Sequence, residues 1–276
     1  MQQNRIPSSA KPSTLAVVAI VFVAIGIPSA QAQMDSCAQP LEANTTVKQD
    51  GLQVVRCFPR QQVGIFTSPI HITQQPHAWK YLLPIGIAAA FIPLDKHISS
   101  QLPSGHGGPS QTISDVGLIG TGATLGGLYL FGVMRDDTHA RETGLFGAQA
   151  LVNSILPHLA LSYVFGRYRP FQGPMGEVGE GDFFGSHVYA SSFPSGHSMY
   201  TWSMVSVLAD EYPSKKSKLF WYAVGSTVAI SRVTARQHFA SDVIAGSAIG
   251  YMIGSHILHS HRRRADLSYA TAATGP

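Results

Sequence analysis

Two stretches of this chain, residues 116–134 and 145–166, are about bilayer length and almost free of charge. The first has no charged residue, and the second has only His158 as a group that titrates near neutrality. A membrane-spanning helix needs about 20 consecutive, mostly apolar residues. Shorter apolar segments lie at 81–93, 197–209, 219–231 and 243–259. None alternates as a strand does, and all are long enough for helices. Charged residues make up 12% of the chain, about half the ~25% usual in soluble domains. The expected fold class is therefore all-α: a helical bundle that crosses a membrane several times. A compact soluble bundle with buried helices is the alternative. In the last segment Gly246, Gly250 and Gly254 recur every four residues, a spacing that lets helix backbones approach closely.

Arg5 and Lys11 precede an apolar run over 15–27, followed by Pro28 and Ala30-Gln31-Ala32. This is the pattern of an export signal over 1–32 with cleavage before Gln33, and a retained anchor is its alternative. Residues 33–78 are polar, with scattered Pro and Gln, and read as an exported irregular segment. Its Cys37 and Cys57 are the chain's two cysteines, and export permits a disulfide between them. A helical domain then covers 79–262 and a tail 263–276. The net charge is +4, and the basic residues form no stripe interleaved with aromatics, which argues against nucleic acid as a partner. Asp136, Asp137, Arg141 and Glu142, between two apolar helices, read as a solvated loop.

Three short motifs carry chemistry. In Ser231-Arg232-x5-His238-x3-Asp242, the histidine and the aspartate are four apart. On one helix they would share a face. The carboxylate would take a proton from one ring nitrogen and leave the other as a nucleophile. In Phe193-Pro194-Ser195-Gly196-His197, a turn opens an apolar helix. Free N–H groups and the helix dipole there favour an anion at Ser195 and Gly196. His197, in the first turn, is placed to act as a general acid. In Gly166-Arg167-Tyr168-Arg169-Pro170, two arginines end a long apolar helix. Arginine binds phosphate oxygens as a bidentate fork. Each motif alone has a plainer reading: a surface pair, a Ser cap, a cationic helix end.

In this order the motifs resemble the type 2 phosphatidic acid phosphatase superfamily, whose pattern runs Lys-x6-Arg-Pro, Pro-Ser-Gly-His and Ser-Arg-x5-His-x3-Asp. The resemblance covers about residues 115–259 and implies the bundle shared with the vanadium haloperoxidases. It also implies a phosphohistidine mechanism. His238 takes the nucleophile's position, Asp242 that of its orienting partner and His197 that of the acid. Arg169, Arg232, Ser195 and Gly196 match the phosphate-binding positions. No metal or other cofactor is implied. The lysine expected seven residues before Arg169 is Ser162 here, and Arg236 stands where some members have Gly. Arg236 or Arg167 is expected to supply part of the missing charge.

The implied substrate is a phosphorylated lipid or a small phosphoester, with membrane lipids as partners. Alternatives are a soluble periplasmic acid phosphatase of broad specificity and a weakened member that binds phospholipid without turnover. The expected location is a bacterial inner membrane with the site facing the periplasm. That topology has 81–93 not spanning and puts Lys215, Lys216, Lys218 and Arg262-Arg263-Arg264 inside.

Overall fold

The computed structural model describes residues 46–72, 79–103, 108–173, 177–186 and 190–273. Among these residues every regular element is helical. The order is α1 (Val47–Ile72), α2 (Trp79–Phe91), a 3₁₀ turn (Ile92–Leu94), α3 (Asp95–Ser100), α4 (Gly108–Arg135), α5 (Thr138–Phe165), a 3₁₀ turn (Pro170–Gln172), α6 (Gly196–Glu211), α7 (Lys215–Thr234) and α8 (Ala240–Ala273). The expected signal segment and Cys37 lie outside the described residues.

Helix α6 is the centre of the bundle. Met199, Val205, Val207 and Leu208 on it are fully buried, and Met199 and Val207 pack with Phe146 and Ala150 of α5 and Ile253, Ile257 and Leu258 of α8. The glycine stripe of α8 makes this packing close. A Cβ at Gly246, Gly250 or Gly254 would overlap the carbonyl oxygen of Ser195, Met199 or Ser203 respectively. Backbone thus lies on backbone along three turns, which fixes the start of α6 against the start of α8. The local signals agree. Asp137 caps α5 by accepting from the Ala140 N–H at 3.0 Å. Gly166 ends it in the left-handed region at φ 42°, and a side chain there would meet the Ser186 carbonyl.

Three stretches, Leu82–Ser100, Gly108–Arg135 and Thr138–Gln172, are long and apolar enough to cross a membrane. Their outward faces are apolar: Leu82, Leu83 and Ile85 on α2 and Val116, Ile119, Leu130, Phe131 and Met134 on α4 are all exposed. This is the surface of a membrane protein. By length and composition the first stretch could also cross, where the sequence suggested that 81–93 does not span. The 3₁₀ turn carries α2 into α3 and lengthens the apolar segment beyond what Pro84 and Pro93 suggested.

The segment read as irregular also differs, because residues 47–72 form α1. Its buried residues are Asp50, Cys57, Gln61 and Gln62, spaced as one helix face but polar, while Val55 and Val63 point outward. An apolar period could not reveal that face. Cys57 is disulfide-bonded and buried. Arg141 is not in a solvated loop. Its guanidinium donates to Asp50 Oδ2 at 2.6 and 2.9 Å, and the Tyr129 hydroxyl donates to the same oxygen at 2.7 Å. Gln61 bonds Gln149 at 2.7 Å and Asn153 at 2.8 Å, so α1 is held to α5 by polar contacts.

Candidate active site

The three motifs meet at one end of the bundle. The chain leaves α5 at Gly166 and enters α6 at Ser195. It then leaves α7 after Arg232 and enters α8 at Ala240. Ser195 is the N-cap of α6, extended at φ −68° and ψ 112°, and makes no side-chain cap. Its hydroxyl instead accepts from Ser198 at 3.1 Å, and its N–H donates to the Asp242 carbonyl at 3.1 Å. The first-turn amides therefore keep the anion-binding character of an uncapped helix start.

His238 lies in the loop before α8, 3% exposed. Its Nδ1 donates to the Ser192 carbonyl at 2.7 Å, which leaves the lone pair on Nε2. Burial first, then the positive charges of Arg169 and Arg232, hold the imidazole well below its usual pKa, so it is neutral near pH 7. Arg169 is braced by backbone: Nε donates to Ala190 O at 3.1 Å, and its terminal nitrogens to Ser191 O at 3.2 Å and Gln237 O at 3.3 Å. Arg232 is 4% exposed and donates to the Ser114 hydroxyl at 3.0 Å. Its Nε is buried with no partner among the described residues. His197 is half-buried and bonds Asp115 Oδ1 through Nε2 at 2.8 Å.

Three expected roles are corrected. Among the described residues, Asp242 makes no hydrogen bond to His238. One carboxylate oxygen accepts from Arg167 at 2.5 Å, and the other from the Ser192 hydroxyl at 2.5 Å and the Phe239 N–H at 2.9 Å. Because α8 begins at Ala240, His238 precedes the helix and the four-residue spacing does not align the two side chains. Ser192 joins them instead, its hydroxyl on Asp242 and its carbonyl on His238. Arg167 is a core cation rather than a phosphate ligand. It is 1% exposed and paired with both Asp95 and Asp242, its Nε donates to Gly181 O, and it lies 4.6 and 4.3 Å from the Phe183 and Phe239 ring centroids. Arg236, at φ 53°, donates to the Leu102 carbonyl at 2.6 Å and is not among the charges acting on His238.

Four residues of this region carry no role that the sequence suggested. Asp115 stands immediately before the charge-free run of α4, and a lone carboxylate heading an apolar helix was its signal. Asp95 accepts from Arg167 and from the Ser241 N–H and hydroxyl. Ser192 and His158 were hidden beside stronger motifs.

A model of the PAP2 superfamily matches residues 143–266, a range that holds all three motifs. Through that region the chain is similar to the PAP2 superfamily. It is also similar to the lipid A 1-phosphatase of Porphyromonas gingivalis (strain ATCC 33277), at 35% identity over 97 residues. That match covers 33% of this chain and 18% of the relative. Among solved structures it is similar to the transmembrane PAP2 type phosphatidylglycerolphosphate phosphatase from Bacillus subtilis, with a TM-score of 0.43 and 20% identity. That match covers 67% of this chain and 94% of the other.

Proposed function

We propose that this chain is a membrane phosphatase that releases phosphate from phosphorylated lipids through a phosphohistidine on His238. The observation that carries this reading is a buried, neutral His238 with Nδ1 tied to Ser192, under the charges of Arg169 and Arg232 and beside His197. The phosphoryl oxygens sit against Arg169, Arg232 and the first amides of α6. His238 Nε2 attacks phosphorus as the P–O bond to the alcohol breaks. His197 gives its proton to the departing oxygen, and Asp115 holds the imidazolium. Water then attacks the phosphohistidine, His197 takes the water's proton, and the N–P bond breaks to release phosphate. The apolar faces of α2 and α4 and the similarity to the Porphyromonas lipid A 1-phosphatase support a lipid substrate.

A phosphate-release screen of purified protein in detergent tests the reading. Phosphatidate, phosphatidylglycerol phosphate, a polyprenyl diphosphate and lipid A are compared with nitrophenyl phosphate. Release is expected from at least one lipid, at higher kcat/KM than from the soluble ester. Turnover of the soluble ester alone would replace the lipid reading, and no turnover would leave a binding protein.

For orientation we propose that the site faces the periplasm. Arg135 ends α4, whose start carries Asp115, and Lys215, Lys216 and Lys218 begin α7, whose end carries Arg232. These cations lie at the end opposite the site, where the positive-inside tendency places the cytoplasm. One observation favours the reverse. The disulfide-bonded Cys57 is on α1, which packs at the Arg141 end, and disulfides belong to oxidising compartments. Reporter fusions after Gly173 should be active in the periplasm and those after Lys216 in the cytoplasm. The opposite pattern would invert the protein.

A further inference from the structure

The Pro194–Gly196 turn must hold its amides toward an anion, yet Ser195 does not cap it. Something else has to fix it. From one side α8 does so, with Gly246 against the Ser195 carbonyl and the Asp242 carbonyl accepting the Ser195 N–H. From the other side the contact is one side chain of α5, His158. An ideal Cβ on Gly196 would lie 3.0 Å from His158 Nε2 and 3.1 Å from its Cε1. The edge of the imidazole therefore rests on Gly196 itself, beside the Pro194 backbone. The ring is held in turn. Its Nδ1 bonds the Tyr200 hydroxyl at 2.7 Å, and the two rings meet edge to face at 5.2 Å. Ser162, one turn further along α5, brings its hydroxyl to 3.4 Å from Nε2 and is 1% exposed.

We propose that His158 is a positioning residue for the phosphate-binding turn, clamped by Tyr200 and pressing Gly196 toward the anion from the side opposite Gly246. It explains two features together. A side chain at position 196 would fit only if the imidazole gave way by a few tenths of an ångström. Position 162 is small because a longer side chain there would have to displace the same ring. With the Tyr200 hydroxyl donating to Nδ1, Nε2 carries the proton and faces the turn as a neutral donor.

The inference rests on the phosphatase reading, but its test does not depend on turnover. Binding of inorganic phosphate to the full-length protein in detergent is measured by calorimetry alongside kcat/KM. His158→Ala is expected to weaken phosphate binding and lower kcat/KM, on the order of 10²-fold for a reacting group displaced by about 1 Å. His158→Gln, which can place an N–H near Nε2, should recover most of both. Gly196→Ala should bind phosphate poorly in wild type. In the His158→Ala background the added methyl should cost little, so the double variant should bind better than Gly196→Ala alone. Equal losses in His158→Ala and His158→Gln with equal falls in Tm would reduce His158 to packing and overturn the proposal. So would a double variant no better than Gly196→Ala. If wild type binds phosphate without turning over any ester, the phosphatase reading falls, and the binding series still decides the role of His158.

Discussion

Replacing His238 with alanine is expected to abolish turnover, by at least about 10³-fold, because removing a covalent nucleophile leaves only binding and electrostatic stabilisation. The bundle should survive. Among the described residues the ring makes one hydrogen bond, to the Ser192 carbonyl, and leaving that acceptor unpaired costs about 1–3 kcal/mol. Asp242 keeps its bonds to Arg167, Ser192 and the Phe239 N–H, so the loop remains anchored. Phosphate-labelled substrate, quenched during turnover, should leave an acid-labile, alkali-stable label on wild type and none on His238→Ala. Label on any other residue, or full activity without His238, would end the assignment. His238→Gln separates chemistry from support, since it can still donate toward Ser192 but cannot attack phosphorus. It should be as inactive as the alanine variant and more stable.

The parts of this site that were legible in the sequence are those built from neighbours along the chain. Ser195, Gly196 and His197 form one turn, and its place at the head of an apolar helix follows from composition and a Pro-Ser-Gly sequence. The Arg232-to-His238 spacing is likewise local. What was hidden is how these pieces are held. Asp115 reaches His197 from 82 residues away, Asp95 reaches Arg167 from 72, and Ser192 reaches Asp242 from 50. No periodicity encodes such pairs. The error over Asp242 has a sharper cause. Four residues imply a shared helix face only inside a helix, and the helix starts two residues after His238. Arg167 was misplaced for a related reason. Two arginines two apart at a helix end seem equivalent, but the left-handed Gly166 turns one into the core and leaves the other at the cradle. In α1 the helix was missed because its docking face is Asp50, Cys57, Gln61 and Gln62. Polar residues there are satisfied across the interface by Arg141, Gln149 and Asn153, a solution that hydrophobic patterning cannot anticipate.

His197→Ala is expected to lose about 10²–10⁴-fold in kcat on alkyl phosphate esters, the usual worth of a positioned general acid. Nitrophenyl phosphate should lose far less, because its leaving group departs without a proton. Asp115 gives the same idea an independent handle. Burial first, then the Arg232 charge, hold His197 below its ordinary pKa, and the bond to Asp115 pulls it back up. An acid must be protonated to act, so kcat/KM falls as pH rises through the His197 pKa. A nucleophile must be neutral, so kcat/KM falls as pH drops through the His238 pKa, which burial and two arginines hold lower still. The profile should therefore be a bell with its maximum on the acid side of neutrality. Asp115→Asn removes the upward pull on His197 alone. Its alkaline limb should move to lower pH while the acid limb stays in place. Activity on alkyl esters at neutral pH should drop more than activity at the acid optimum. A shift of the alkaline limb to higher pH, or equal losses on alkyl and nitrophenyl esters in His197→Ala, would remove His197 from the acid's role. It would leave the Asp115 pair as a contact that merely ties α4 to the start of α6.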